Sequence, residues 1–450
     1  MMKNLFGFFR THLVFIIVCC IFLVAGFEAL NDYLLYNPDS ARYIAWANSL
    51  AHGKGFLDQT TPEPSRYVMH APLYSLFLTP VAFFFQTNES AHKAATILLG
   101  CALIVLMYSM VYKESGKIPA TIAALLLAVN PLMFILSSQV LSDVLFGVLL
   151  LISFWLLERI LRSNAPDSRA DYLLAVVVTA AALSREIGII LVPLVCGALA
   201  VRRQTTSVLR ILLVFILCYG AWYIWNEIYV ARFEGPVLSN QSLLFQNVLT
   251  SPDASFFDEV LLRWKVNGVF YSREIASLLF FPFLTIPHTA FADQLQLIGS
   301  PESILLSIGH VFSYCWWFFT LIAAMLVFVG IALEFRSHKD ARLRLAFVAM
   351  YAPVLLSYPV TDKRFLFPLL LVFILWAARA TTVLLKKEVY WYRWMIPALT
   401  VLLLVPNISW SYYYVKTQHA IAMEQKKPTV AVSIQGVAVS PLGSLAGWDK

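Results

Sequence analysis

Apolar residues in this chain come in long unbroken runs. They do not form the short alternations of a soluble strand or the one-faced stripe of a soluble helix. The runs cover 13–30, 71–86, 94–112, 118–136, 140–157, 173–184, 186–201, 208–226, 305–334, 343–358, 365–385 and 394–410. Many approach the ~20 residues that a helix needs to cross a hydrocarbon core. Inside lipid every backbone group must be satisfied within the protein, so such runs predict helices. The expected fold is all-α, a polytopic integral membrane protein.

The polar connections give an orientation. Arg159, Arg162 and Arg169 lie in one short connection, and Arg202, Arg203 and Arg210 in another. Arg336, Lys339, Arg342 and Arg344 form a third group, and Arg379, Lys386, Lys387 and Arg393 a fourth. The positive-inside rule places all four in the cytoplasm, together with Lys113 and Lys117. The run 13–30 follows Lys3 and Arg10 and reads as a retained signal anchor, although Ala25 and Gly26 also offer small residues for leader cleavage. If 13–30 leaves the cytoplasm and 94–112 returns, 71–86 cannot cross. It is short and holds Pro72 and Pro80, which predicts a re-entrant or interfacial segment. About eleven spans remain, with the N-terminus inside and the C-terminus outside.

Four parts follow from this topology. Residues 1–226 form an N-terminal transmembrane module whose first outer loop is 31–70, and 227–303 is a long non-cytoplasmic segment. Residues 304–410 form a C-terminal transmembrane module, and 411–450 is a non-cytoplasmic tail. Within 227–303, the stretch 274–287 is apolar, short and Pro-containing, which suits the membrane interface.

Composition agrees. Of the 450 residues 60% are hydrophobic and only 13% charged, with mean hydropathy +0.74. A soluble core could not bury that excess, so lipid must solvate it. The six cysteines all lie in apolar stretches without CxxC spacing, and read as small hydrophobes. Nucleic acid is not an expected partner; membrane lipids are.

The first outer loop carries the densest candidate chemistry. Asp39 follows Pro38 and can cap a helix running to about His52. Ala41, Ile44, Ala45, Asn48 and Ala51 recur at helical spacing, and Gly53 and Gly55 end the pattern. A cap and a catalytic carboxylate at the bilayer edge are compatible roles for Asp39. Arg185 stands between two short apolar runs, where a charge is costly and usually functional. Arg364 shares a tight outer turn with Asp362 and Lys363, where a solvated turn and a ligand site are equally expected. Asp143 opens a helix and reads first as a cap. Trp316, Trp317 and the Tyr412–Tyr414 run read as interface belts.

Pro38-Asp39-Ser40-Ala41-Arg42-Tyr43, then Gly53-Lys54-Gly55-Phe56 and Pro72-Leu73-Tyr74, resembles the first luminal loop of GT-C glycosyltransferases. The likeness is to the branch of protein O-mannosyltransferases and the lipid A aminoarabinose transferase. Asn130-Pro131, Ser137-Ser138 and Asp143, Ser184-Arg185-Glu186-Ile187-Gly188, and Lys363-Arg364-Phe365 before Pro368 extend it. The chain departs from the family at Ser40, where Glu is frequent, and at His70-Ala71, where Lys-Pro is frequent. The first departure removes one of two carboxylates that could hold a metal, which leaves metal dependence open.

The resemblance implies a GT-C-like bundle and an inverting transfer of sugar from a polyprenyl-phosphate donor to an acceptor hydroxyl or amine. The acceptor could be a lipid, a glycan or a protein. The expected place is the outer face of a bacterial inner (cell) membrane. A lipid-borne phosphate leaves readily if cations or oriented donors stabilise it, and the acceptor needs a base on the far side of the anomeric carbon. Asp39 is the expected base, with Asp32 a distant second. Arg185, Arg364, His70 and Lys363 are expected to hold the donor phosphate; Tyr43 and Asp143 support them. No cofactor is specified: a divalent metal could take part, although no His/Cys/Asp/Glu spacing points to one. Other readings are a lipid or polysaccharide flippase, or a polysaccharide polymerase or ligase. A flippase would place charges at mid-span in repeated broken helices, and a polymerase would carry Arg-rich outer loops.

Overall fold

The computed structural model describes residues 2–32, 34, 37–57, 70–163, 167–230, 244–245, 247–251, 253–276, 278–279, 316–336 and 342–386, with scattered positions between 404 and 423. Every element among them is helical. In order these are α1 (Met2–Glu28), α2 (Asn37–Ala51), α3 (Leu73–Phe85), α4 (Glu89–Ser115), α5 (Lys117–Ala128), α6 (Pro131–Ser137), α7 (Asp143–Arg162) and α8 (Ser168–Ser184). After a 3₁₀ turn at Glu186–Ile190 come α9 (Leu191–Val201), α10 (Thr205–Phe215), a π-helical turn at Ile216–Gly220 and α11 (Ala221–Val230). The remainder are α12 (Phe256–Ala276), α13 (Trp316–Arg336), α14 (Leu343–Ser357), a 3₁₀ turn at Lys363–Leu366 and α15 (Phe367–Lys386).

Four helical stretches are long and apolar enough to cross a membrane: 89–115, 143–162, 205–228 and 363–382. The pair α5 and α6 makes a fifth if taken together. These helices make the protein an integral membrane bundle. The expected figure of about eleven spans includes 394–410, of which only 404, 407 and 408 lie among the described residues.

The run 118–136 is not one straight helix. It breaks between α5 and α6 with a 62° bend. Asn130 causes the break by capping α6: its Oδ1 accepts from Leu132 N at 3.0 Å and Met133 N at 3.3 Å, with Pro131 in the first turn. Its amide nitrogen donates to the Leu278 carbonyl at 2.9 Å, which ties the bend to the segment after α12. The run 71–86 folds as α3, whose 13 residues span about 20 Å, less than a hydrocarbon core.

Segment 227–303 is more than polar loop, since it contains α12. One edge of α12 exposes Phe257, Leu261 and Trp264, while Glu259, Arg263, Asn267 and Tyr271 on the other edge are buried. An interfacial character was expected further on, at 274–287; residues 277 and 280–287 lie outside the described residues. The side chains of Trp316 and Trp317 also lie outside them. Tyr414 is not an interface residue. It is buried, and its hydroxyl meets Ser138 Oγ at 3.0 Å.

The two ends of the bundle hold different polar groups. Asp143 opens α7, and Glu158 lies one turn from its other end, about 22 Å along the axis. At the Glu158 end, buried Arg344 from α14 reaches Glu158 Oε1 at 3.0 Å, Glu114 Oε1 of α4 at 3.2 Å and Glu334 Oε2 of α13 at 3.7 Å. Trp376 Nε1 of α15 donates to Glu334. This charged clasp joins five helices. Nearby Gly330 lets α13 lie against α15, because a Cβ there would collide with the Trp376 backbone carbonyl.

Candidate functional site

The site forms where α2, the 3₁₀ turn after α8, the turn after α14 and the start of α7 converge. The helix α2 starts at Asn37, so Asp39 sits in its first turn and is not its cap. There the helix dipole favours a carboxylate. Asp39 Oδ2 accepts from Arg364 Nη1 at 2.5 Å, and its Oδ1 lies 3.4 Å from His70 Nε2. Arg364 is held from behind by Asp362, whose carboxylate meets Nε at 3.1 Å and accepts from the Arg364 backbone N–H at 2.9 Å.

Burial works to raise the Asp39 pKa. The hydrogen bond and charge of His70, and the charge and hydrogen bond of Arg364, outweigh it and hold the carboxyl far below the usual carboxylate range. Both Asp39 oxygens therefore face cationic or potentially cationic groups. That donor set does not fit a divalent cation. Among the described residues, no group of three or more His, Cys, Asp or Glu could hold one elsewhere.

Arg185 forms an ion pair with Asp143. The expected capping role for Asp143 is not what the structure shows: it stands in the first turn of α7 and its carboxylate turns to the arginine. The sharp turn that presents Arg185 depends on Gly188, where a Cβ would collide with the Ala181 backbone. Phe365 lies between the two arginines, its ring centroid 5.6 Å from the Arg185 guanidinium carbon and 5.4 Å from that of Arg364. The Tyr351 hydroxyl donates to the Phe365 carbonyl at 2.6 Å and fixes that ring's backbone.

Tyr43 follows Asp39 by one helical turn and is buried. Its hydroxyl meets Ser142 Oγ at 3.0 Å, and its ring packs against His70 at 4.6 Å between centroids. Burial pushes its phenol up, so it stays neutral. Tyr43 thus links α2 to the start of α7 and sets the wall on which Asp39 and His70 stand.

Asp39, Tyr43, His70, Arg185 and Arg364 all line one cavity of about 430 Å³. Lys363 does not: its ammonium pairs with Glu274 Oε2 of α12 at 3.0 Å, away from the cavity. Asp143 stands behind Arg185, outside the lining. Asp32 lies elsewhere and accepts from Ser90 Oγ at 2.8 Å. Sequence reasoning missed Glu186, Tyr219, Tyr351, Tyr358 and Phe365, which complete the walls. Tyr219 comes from the π-helical turn, a feature that often marks functional positions but is visible only once the chain is folded.

Comparison with known proteins adds the fold family. A family model of dolichyl-phosphate-mannose-protein mannosyltransferases matches residues 69–225. No curated protein sequence matches the chain. Among solved structures, ArnT from Cupriavidus metallidurans in the apo state is similar with a TM-score of 0.51 and 12% identity, over 91% of this chain and 76% of that one. The archaeal oligosaccharyltransferase AglB from Archaeoglobus fulgidus, solved with an inhibitory peptide and a dolichol-phosphate, is similar with a TM-score of 0.50 and 13% identity. That alignment takes in 92% of this chain but only 56% of AglB. The chain therefore has the polytopic membrane fold of the GT-C glycosyltransferase superfamily.

Proposed function

We propose that the protein is a GT-C-type glycosyltransferase that moves a sugar from a polyprenyl-phosphate donor to an acceptor on the non-cytoplasmic side of the membrane. The observation that carries this reading is the convergence of Asp39, His70, Arg185 and Arg364 on one cavity. A dolichol-phosphate accompanies AglB in its structure, and a family named for dolichyl-phosphate-mannose matches a third of this chain, which supports a lipid-phosphate donor.

Arg185 and Arg364 receive the donor phosphate, with Phe365 as a shared platform. The acceptor oxygen or nitrogen attacks the anomeric carbon from the opposite face while the bond from that carbon to the phosphate oxygen breaks. The acceptor's proton passes to Asp39, and the anionic polyprenyl phosphate leaves against the two guanidiniums. A carboxylate held as low as Asp39 is a weak base while His70 and Arg364 grip it. An arriving phosphate competes for Arg364, loosens that grip and raises the basicity of Asp39 at the moment a base is needed. Glu186, Tyr219 and Tyr358 supply hydrogen-bonding groups for sugar hydroxyls on the remaining wall. The N-terminus lies in the cytoplasm, and the tail and the cavity mouth lie outside.

The test is transfer by the purified protein in lipid nanodiscs. The donors are decaprenyl-phosphate-linked mannose, glucose and arabinose, each radiolabelled in the sugar and offered with a membrane lipid extract and with peptide acceptors. Labelled product formed by the unaltered protein and lost in Asp39→Asn supports the reading. An active Asp39→Asn variant rejects the base assignment, and absence of donor binding rejects the reading itself.

A further inference from the structure

Five side chains of α12 grip the turn that carries Arg364, and none of them lines the cavity. Arg263, Asn267, Tyr271 and Glu274 follow one another at spacings of four, four and three, which puts them on one face of the helix. Trp264 stands beside them. Arg263 Nη1 donates to the Ser357 carbonyl at 3.1 Å, and Trp264 Nε1 donates to Ser357 Oγ at 2.8 Å. Tyr271 Oη accepts from the Asp362 backbone N–H at 3.4 Å, and Glu274 pairs with Lys363.

Asn267 makes the central contact. Its amide nitrogen donates to the Leu356 carbonyl and to the Tyr358 carbonyl, both at 2.7 Å. Leu356 lies in the last turn of α14, where carbonyls have no partner within their own helix. Tyr358 is the first residue beyond that helix, in an extended conformation with ψ 138°. One buried amide thus bridges the last turn of α14 and the first step of the exit chain, and sets the direction in which 358–364 leaves. With Asn267 only 1% exposed, water has little room to take over those bonds.

Further along the turn, the Asp362 backbone rests on Tyr271 and its carboxylate holds Arg364 Nε. The far end of α12 is fixed in turn. Buried Glu259 accepts from the backbone N–H groups of Val248, Leu249 and Thr250 and from Arg263 Nε.

We infer that α12 aligns Arg364 for the donor phosphate, and that Asn267 is its positioning residue. The inference rests on the phosphate-clamp reading given above. It assigns to the long segment between the two transmembrane modules a role in donor binding as well as its contribution to the outer surface. Asn267 touches no substrate and acts on the reaction only through the turn.

The test is a double-mutant cycle read by affinity for decaprenyl phosphate in nanodiscs, with thermal unfolding of each variant as the check on folding. Asn267→Ala and Asn267→Asp, which keeps the shape but loses the donor, each weaken binding by about tenfold, an effect of order 1.4 kcal/mol. Arg364→Gln weakens it at least as much, and Asn267→Ala adds nothing further in the Arg364→Gln background. A general loss of structure would instead weaken both backgrounds equally. Normal binding by the Asn267 variants, or losses that add, overturns the inference while leaving the clamp intact. Normal binding by Arg364→Gln overturns the clamp, and this inference with it. Should Asn267→Ala not yield folded protein, Trp264→Phe, which removes the indole N–H bond to Ser357 at a partly exposed position, is read in the same cycle.

Discussion

Asp39 and Arg364, 325 residues apart in sequence, meet through Oδ2 and Nη1 at 2.5 Å. This contact joins α2 to the start of the last long described helix. It puts an anionic and a cationic group on one wall of the cavity.

Replacing Asp39 by Asn removes the proposed base and releases Arg364 Nη1 from its carboxylate. Sugar transfer should fall by about 10²- to 10⁴-fold, the usual range for losing a positioned base. Affinity for decaprenyl phosphate should hold or rise, because the Asp39 carboxylate no longer competes for Arg364 Nη1. Parallel transfer and binding measurements separate the two effects. Equal loss of both would assign Asp39 to binding.

The same pair sets a pH dependence. The Asp39 pKa is lowered in the folded protein, so its contribution to stability is complete above the unfolded carboxylate value of about 4. It is lost as pH falls below that value toward the lower folded one. The stability gap between the unaltered protein and Asp39→Asn should shrink as pH falls below about 4. Any acid limb in kcat/KM between pH 5 and 8 then belongs to another group. Unfolding curves across this range check the sign.

Arg185 and Asp143 form the second pair, with Asp143 only 3% exposed. Arg185→Gln strands that carboxylate and should destabilise the protein by about 3–5 kcal/mol. Adding Asp143→Asn should recover part of the loss, because no uncompensated charge then remains. Donor binding should stay weak in both variants. Thermal unfolding set beside decaprenyl phosphate affinity resolves the structural share from the functional one.

At the other end of the bundle, Arg344→Met leaves Glu158 and Glu334 without their central counter-ion, and both are buried. A loss of about 3–5 kcal/mol is expected. The KM for donor should not move in the protein that remains folded, because α7 holds the clasp about 22 Å from the cavity. A changed KM would mean that the two ends are mechanically linked.

Asp39, His70, Arg185 and Arg364 were legible because charged residues flanking apolar runs are few and a family-like loop surrounded them. The Asp143–Arg185 pair was not, since an ion pair between distant residues leaves no local pattern. Lys363 and Arg364 show the limit most sharply. They are adjacent in sequence, and both read as phosphate ligands. In a 3₁₀ turn, neighbouring side chains diverge by roughly 120°, so one reaches Glu274 and the other the cavity. Hydropathy found the apolar run at 118–136 but could not see its bend, because the cue is a single polar residue whose cap forms only once Pro131 starts a new helix. It also read 227–303 by its average polarity, and so missed an amphipathic helix whose buried face carries charges paired at close range.

The π-helical turn at Ile216–Gly220 has a consequence for everything after it. A widened turn holds one residue more than an α-turn, so the later part of the helix is rotated by roughly 100° from where an uninterrupted helix would put it. With that phase, Tyr219 faces the cavity while Trp222 packs on Phe56 at 5.0 Å and Trp225 at 5.8 Å. Deleting a single residue from this turn would swing the two tryptophans away from Phe56 and unlace the loop that carries Asp39 from the helix bracing it.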